Sequence, residues 1–328
     1  MRMPILSEAM TQLSQFMKSS PLFSPTGLQR LWGILCACLA TALLAGPLPA
    51  HEAAPASAQQ GMFAEIAEYA RLANAAYESK AQIIKALQAD GYSLVLEDTI
   101  PNQEVKYFLA TQAQTGAQVV VVRGTNNAEN ALVDVVLQLT EDKQTGIRLH
   151  RGFADAAKGI YQRLQGKLNK HKPVITAGHS LGGAVALILA MYLDVDHYPV
   201  QKVITFGQPK VTNISGAQKF SHLNLVRVVT ARDLVPLVPP LDPMDLKNVD
   251  IFWHLGQEII LLPGNEYAVL TGLDSMLRAS RIMGEQLSQE NLKWHRMSAY
   301  LKNIKAKQSQ IKQIPYKTGF DFFGLFGK

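Results

Sequence analysis

Cysteine is nearly absent from this 328-residue chain: Cys36 and Cys38 are the only two, and both lie inside the apolar run of residues 31–44. If that run is removed, no disulfide can form, and stability must come from a buried core. Zinc-ligand spacings, RNP-type signatures and long basic runs are also missing. The net charge of +6 is spread along the chain apart from a lysine cluster at 302–317. Nucleic acid is therefore not an expected partner. The lysine cluster reads as a solvated surface or as a contact for an anionic membrane. There is no low-complexity block and no internal repeat. The 48% apolar and 18% charged content is that of a globular protein. The run at 31–44 is shorter than the roughly 20 residues a membrane span needs.

The run does have the layout of an export signal. Arg30 precedes it, Gly46, Pro47 and Pro49 break it, and small residues offer cleavage after Ala50 or after Ala58. Translation from Met17, followed by Lys18, gives such a signal a more ordinary length. The expectation is a signal peptide and linker over 1–58, one domain over 59–328, and a secreted or periplasmic location. An uncleaved anchor through residues 31–44 is the alternative.

Beyond the linker, periodicity predicts helices over 62–77 and 80–89, with Phe63, Ile66, Tyr69, Ala70 and Ala73 on one face of the first. Strands are predicted at 92–97 and 106–112. The continuous valine run at 119–122 reads as a strand buried on both faces, and the same character recurs at 174–176, 203–206 and 225–229. Helices at 153–168 and 181–193 lie between them, and 258–262 reads as a further strand. Residues 262–290 read as partly helical through Leu270, Leu273, Leu277 and Ile282. Buried strands alternating with helices predict an α/β fold with a mostly parallel sheet covered on both sides.

The strongest local signal is Gly178-His179-Ser180-Leu181-Gly182-Gly183, entered from a predicted strand and left by an apolar helix. This pattern resembles the nucleophile elbow of an α/β-hydrolase: the glycines at 178 and 182 permit a strained turn that presents Ser180 beside a helix N-terminus, the alternative being a glycine-rich strand–helix turn with an idle serine. A serine hydroxyl needs a base, and the base needs an acid to orient it, in the chain order Ser, acid, His. Asp233 leaves the strand at 225–229 and precedes Pro236, so it sits where the acid belongs. Asp194 and Asp196 read as helix-end groups, and Asp242, Asp245 and Asp250 lie in a proline-interrupted loop. His222 precedes Asp233 and breaks the order. His254 and His295 both remain as bases, and a late loop-to-helix junction favours His295. An oxyanion would need the backbone N–H of Leu181 and a second donor. Thr125, after the 119–122 strand, offers one, although an ordinary turn threonine would look the same.

The set Arg123-Gly124-Thr125, Asn130, Asp134, His150 to Phe153, Gly178 to Gly183, Thr205 to Pro209, Arg227 with Asp233 to Pro236, and His295 to Tyr300 resembles the class 3 lipases, the fungal-type lipases and their bacterial relatives. The resemblance implies Ser180 as nucleophile, Asp233 as acid, His295 as base, and Thr125 with Leu181 as oxyanion donors. It implies ester hydrolysis on lipids, with phospholipase A1 or general carboxylesterase activity as alternatives. It implies neither metal nor organic cofactor. A non-catalytic lipid-binding relative would keep the fold without the chemistry. A lid is implied after Thr125, where Leu132, Val135, Val136 and Leu139 are spaced as one helix face, although Ala131 stands where fungal members usually carry tryptophan. The aromatic tail at 316–328 is expected either to rest on a membrane interface or to pack back on the domain.

Overall fold

Two helices, α1 (Ala56–Ala75) and α2 (Lys80–Ala89), lead into the antiparallel strands β1 (Tyr92–Ile100), β2 (Val105–Gln112) and β3 (Gln118–Val122). The structure is a computed structural model that describes residues 55–101, 103–125, 138–239, 251–279, 292–308 and 310–316. After β3 come β4 (Leu139–Asp142), β5 (Ile147–His150), α3 (Arg151–Leu164), β6 (Val174–His179), α4 (Leu181–Val195) and β7 (Val200–Phe206). Then follow β8 (Thr212–Asn213), α5 (Ile214–Lys219), β9 (Leu225–Thr230), β10 (Phe252–Trp253) and β11 (Gln257–Leu261). The chain continues through β12 (Glu266–Thr271), α6 (Gly272–Ala279), α7 (Met297–Lys305) and β13 (Lys312–Gln313).

The main sheet runs β1-β2-β3-β6-β7-β9-β11-β12-β13, and β3, β6, β7, β9 and β11 are parallel to their neighbours in that series. This is the α/β-hydrolase fold, a mostly parallel central sheet flanked by helices. Its valines divide by strand alternation. Val120 and Val122 face α3 and α4, while Val119 and Val121 face α1 and α7. Every residue of β3 is buried, which accounts for its run of four valines after Gln118. Helix α4 is apolar almost all round because α3 covers the side turned away from the sheet, as Ala157, Ile160 and Leu164 pack into the same cluster as Leu187 and Ile188. On the other face Met297, Tyr300 and Ile304 of α7 join Phe63, Ile66 and Ala70 of α1.

Several sequence expectations are corrected. Helix α1 begins at Ala56, inside the expected linker, because Pro55 sets its start and Ala56 to Gln60 are competent helix formers. Residues 266–271 are a strand rather than helix. Pro263-Gly264-Asn265 turns the chain, Gly264 takes φ +64°, and β12 returns antiparallel to β11 with Leu270 opposite Glu258. Only α6 within 262–290 is helical among the described residues, and Ile282 lies outside them. Leu139 opens strand β4 instead of completing a helix face. The rest of the expected lid, with Asn130, Ala131, Leu132, Asp134, Val135 and Val136, lies outside the described residues. So do the run 31–44, the cleavage position after Ala50, Asp242, Asp245, Asp250 and the tail from 317. A second sheet, β10-β8-β5-β4, went unread because its strands are two to four residues long. No helix among the described residues is long and apolar enough to cross a membrane.

His150 ends β5, caps α3 through Nδ1 and stacks on Phe153 with ring centres 3.9 Å apart, leaving Nε2 buried without a partner. Burial pushes its pKa down to about 4. The unfolded chain takes up this proton from about pH 6.5 downward, whereas the folded chain resists it until about pH 4. The unfolded state thus binds more protons in that window, and stability falls as pH falls. We expect His150→Gln to flatten the loss of unfolding free energy between pH 6.5 and 4 by up to about 1.4 kcal/mol per pH unit, measured by denaturant titration.

Candidate active site

At the junction of β6 and α4 the backbone of Ser180 takes φ 57° and ψ −131°, a left-handed-side conformation costing about 1–3 kcal/mol in a non-glycine residue. The turn holds because its neighbours come very close. A side chain at Gly182 would collide with the backbone of Val122 and Arg123, and one at Gly178 with the backbone of Gly182. The Ser180 N–H donates to Phe206 O at 2.8 Å, and Ser180 O accepts from Gly183 N at 2.9 Å. As the first residue of α4, Leu181 has an N–H with no intrahelical acceptor. Leu181 and Thr125 share the lining of one small cavity of about 150 Å³ with Gly124 and Arg123. Both expected oxyanion donors thus line one cavity at the start of α4.

The other two members arrive from distant strand exits. Asp233 follows β9 and is wholly buried; His295 closes a short 3-10 turn, Lys293–His295, ahead of α7. His295 Nε2 lies 2.7 Å from Ser180 Oγ, and its Nδ1 lies 2.8 Å from Asp233 Oδ2. Burial alone would raise the Asp233 pKa. The His295 charge opposes this, as do hydrogen bonds donated by His295, Tyr300 and the Val235 N–H, and the net shift is downward. Ionised Asp233 can only accept, so the imidazole proton sits on Nδ1 and the Nε2 lone pair receives the Ser180 hydroxyl proton.

Three supporting residues were missed in the sequence. Tyr300, one of the residues quoted for the family resemblance, donates to Asp233 Oδ2 at 2.5 Å; its projection toward the sheet becomes visible only once α7 is docked. Tyr77 ends the first predicted helical pattern, and its hydroxyl lies 2.7 Å from His179 Nδ1. His179 Nε2 in turn donates to the backbone carbonyl of His295 at 2.6 Å. Burial, aided by the neighbouring His295, pushes the His179 pKa down to about 3, so this ring is a neutral spacer. Gly207, just past β7, takes φ +60°, and a Cβ there would stand 2.8 Å from His295 Cε1 and 2.9 Å from Asp233 Oδ2. No spacing rule marks these roles.

His254 does not reach the elbow serine. Its Nε2 donates to Pro236 O at 2.6 Å, steadying the loop that follows Asp233. Beside it lies a buried ionic group in which Glu258 accepts from Arg278 at 2.6 Å and from Ser275 at 2.6 Å, and Arg227 donates to Ser275 at 2.8 Å and to Leu255 O at 2.9 Å. Lys210 joins it by donating to Leu237 O and Pro239 O. His222 pairs with Asp194 on the surface. Among the described residues no three His, Cys, Asp or Glu side chains are grouped to hold a metal ion.

Sheet order, elbow backbone and the serine–imidazole–carboxylate chain define a protein of the α/β-hydrolase class. Within it, residues 119–242 match the family described as Lipase (class 3). Over 143 residues the chain is 32% identical to Secreted mono- and diacylglycerol lipase 1 of Fusarium solani, covering 41% of this chain and 43% of that protein. It is 33% identical over 133 residues to Lipase of Rhizopus niveus, covering 37% and 34%. The crystal structure of a lipase from Rhizopus microsporus var. chinensis superposes with a TM-score of 0.53 at 26% identity, covering 61% of this chain and 75% of that one. The chain thus spans less than half the length of these two curated relatives.

Gly207→Ala places a methyl group against the imidazole and adds backbone strain. We expect it to abolish the downfield NMR signal of the His295 Nδ1 proton while leaving the circular dichroism spectrum unchanged. A retained signal would mean that the pair tolerates displacement.

Proposed function

We propose that this protein is a serine-dependent carboxylic ester hydrolase acting on lipid esters, with Ser180 as nucleophile, His295 as base and Asp233 as acid. The observation that carries the reading is the unbroken hydrogen-bond chain from Ser180 Oγ through both His295 nitrogens to Asp233. His295 Nε2 takes the Ser180 proton as Oγ bonds to the ester carbonyl carbon. The carbonyl oxygen becomes an oxyanion held by the N–H groups of Thr125 and Leu181. Collapse breaks the bond to the alcohol oxygen, which leaves with the proton from His295. Water, deprotonated by the same nitrogen, then attacks the acyl-Ser180 ester and releases the carboxylic acid. Asp233 orients the imidazole and stabilises its charged form. Tyr300 and Val235 hold the carboxylate in place.

The similarity to proteins named as lipases supports a lipid ester over other acyl compounds. The secreted Fusarium relative, together with the signal-like run at 31–44, supports export through a leader ahead of the hydrolase domain, whose first described helix begins at Ala56.

Ser180→Ala is expected to lower hydrolysis of p-nitrophenyl esters at least about a thousandfold and to end fluorophosphonate labelling, with thermal unfolding near that of the wild type. Turnover that survives this change would overturn the assignment. A panel of triacylglycerols, phospholipids and short esters, run above and below substrate aggregation, then reads the substrate class.

A further inference from the structure

On the flank of α7, next to the ends of β9 and β11, lies a groove of about 400 Å³, within the roughly 300–1,000 Å³ common for small-molecule sites. Leu261, Pro263, Ala299 and the Trp294 ring supply an apolar floor, while Arg232 and Lys302 supply cations. No carboxylate appears among its described lining residues. The Arg232 guanidinium sits 4.9 Å from the centre of the Trp294 ring, and the Lys293 ammonium approaches the same ring at 5.5 Å. Lys302 is exposed on α7. Positive charge beside an uncharged, partly aromatic trough is the complement of a molecule with one anionic end and one hydrocarbon end.

We propose that this groove is a second binding site, separate from the serine, for a single-chain amphiphile with an anionic head, namely a long-chain carboxylate. Arg232 and Lys302 take the head, and the alkyl chain lies along Trp294, Ala299, Leu261 and Pro263. The groove is also wired to the elbow machinery. Arg232 immediately precedes Asp233, Trp294 immediately precedes His295, and Thr230 Oγ1 donates to Trp294 O at 3.2 Å. An occupant therefore rests on the peptide neighbours of both the carboxylate and the imidazole. That this ligand is the reaction's own acid product rests on the hydrolase reading; the binding itself does not.

The test uses the full chain carrying Ser180→Ala, so that turnover plays no part, and a diazirine analogue of palmitate below its aggregation threshold. Mass spectrometry should find the label within residues 294–306. Palmitate should compete, hexadecyl phosphate should compete because the head is read by charge, and hexadecanol should not. Lys302→Glu, on an exposed helical position, should cut labelling of this peptide by about fivefold or more with an unchanged melting temperature. Labelling that ignores Lys302→Glu, or that hexadecanol suppresses as well as palmitate does, overturns the proposal. Loss of this labelling beside normal ester hydrolysis in the Ser180-containing chain would sink the groove site and leave the hydrolase reading intact.

Discussion

The turn at Ser180 is the constraint around which the rest of the structure is arranged. A serine held on the positive-φ side of backbone space is unstable in isolation. It persists here because β3, β6 and β7 clamp it: Phe206 fixes its amide, while Val122 and Arg123 close over Gly182. The fully buried valine strand next to the elbow is therefore part of the site as well as of the core. Strain at one residue is held by a sheet that could relax only by breaking several ladders at once.

The charges around that turn are handled differently at different depths. Asp233 keeps its negative charge in the interior because three donors converge on it. His179 and His150 shed theirs, since their rings are buried without a carboxylate partner. Glu258, Arg227 and Arg278 form a buried ionic group that joins β9, β11 and α6. Breaking one member of such a group leaves an uncompensated buried charge. Lys307, although part of the basic C-terminal stretch, is buried and donates to Leu262 O and Gly264 O, so that stretch is not simply a solvated surface.

The sequence revealed those parts of the molecule that repeat a pattern over several residues. Strands β3, β6, β7 and β9 appear as apolar runs because both of their faces are covered, and α4 appears as an apolar block for the same reason. Ser180 is marked by its glycines, and Asp233 by the break from strand to proline. His295 could be chosen over His254 only by its place at a late loop-to-helix junction and by family resemblance; a single imidazole carries no periodicity. Contacts across the fold left no such mark. Tyr77, Tyr300 and Gly207 matter because of what docks beside them, and nothing in their own neighbourhoods says so. Short strands such as β8 and β10 contain too few residues to alternate. The β11–β12 hairpin was obscured because leucines at 270, 273 and 277 imitate a helical face across the true boundary at Gly272.

The imidazole is carried just ahead of α7, a late element in chain order, which packs against α1, the first helix among the described residues. Met297, Tyr300 and Ile304 lie on Phe63, Ile66 and Ala70, and His179 reaches the His295 carbonyl from the elbow. While the polypeptide is still emerging from the ribosome, the serine and its strained bend can already be in place, yet the proton acceptor is not. The hydrogen-bonded centre is thus incomplete until synthesis has passed residue 304 and α7 has docked on α1, so assembly of the site is the last step rather than the first.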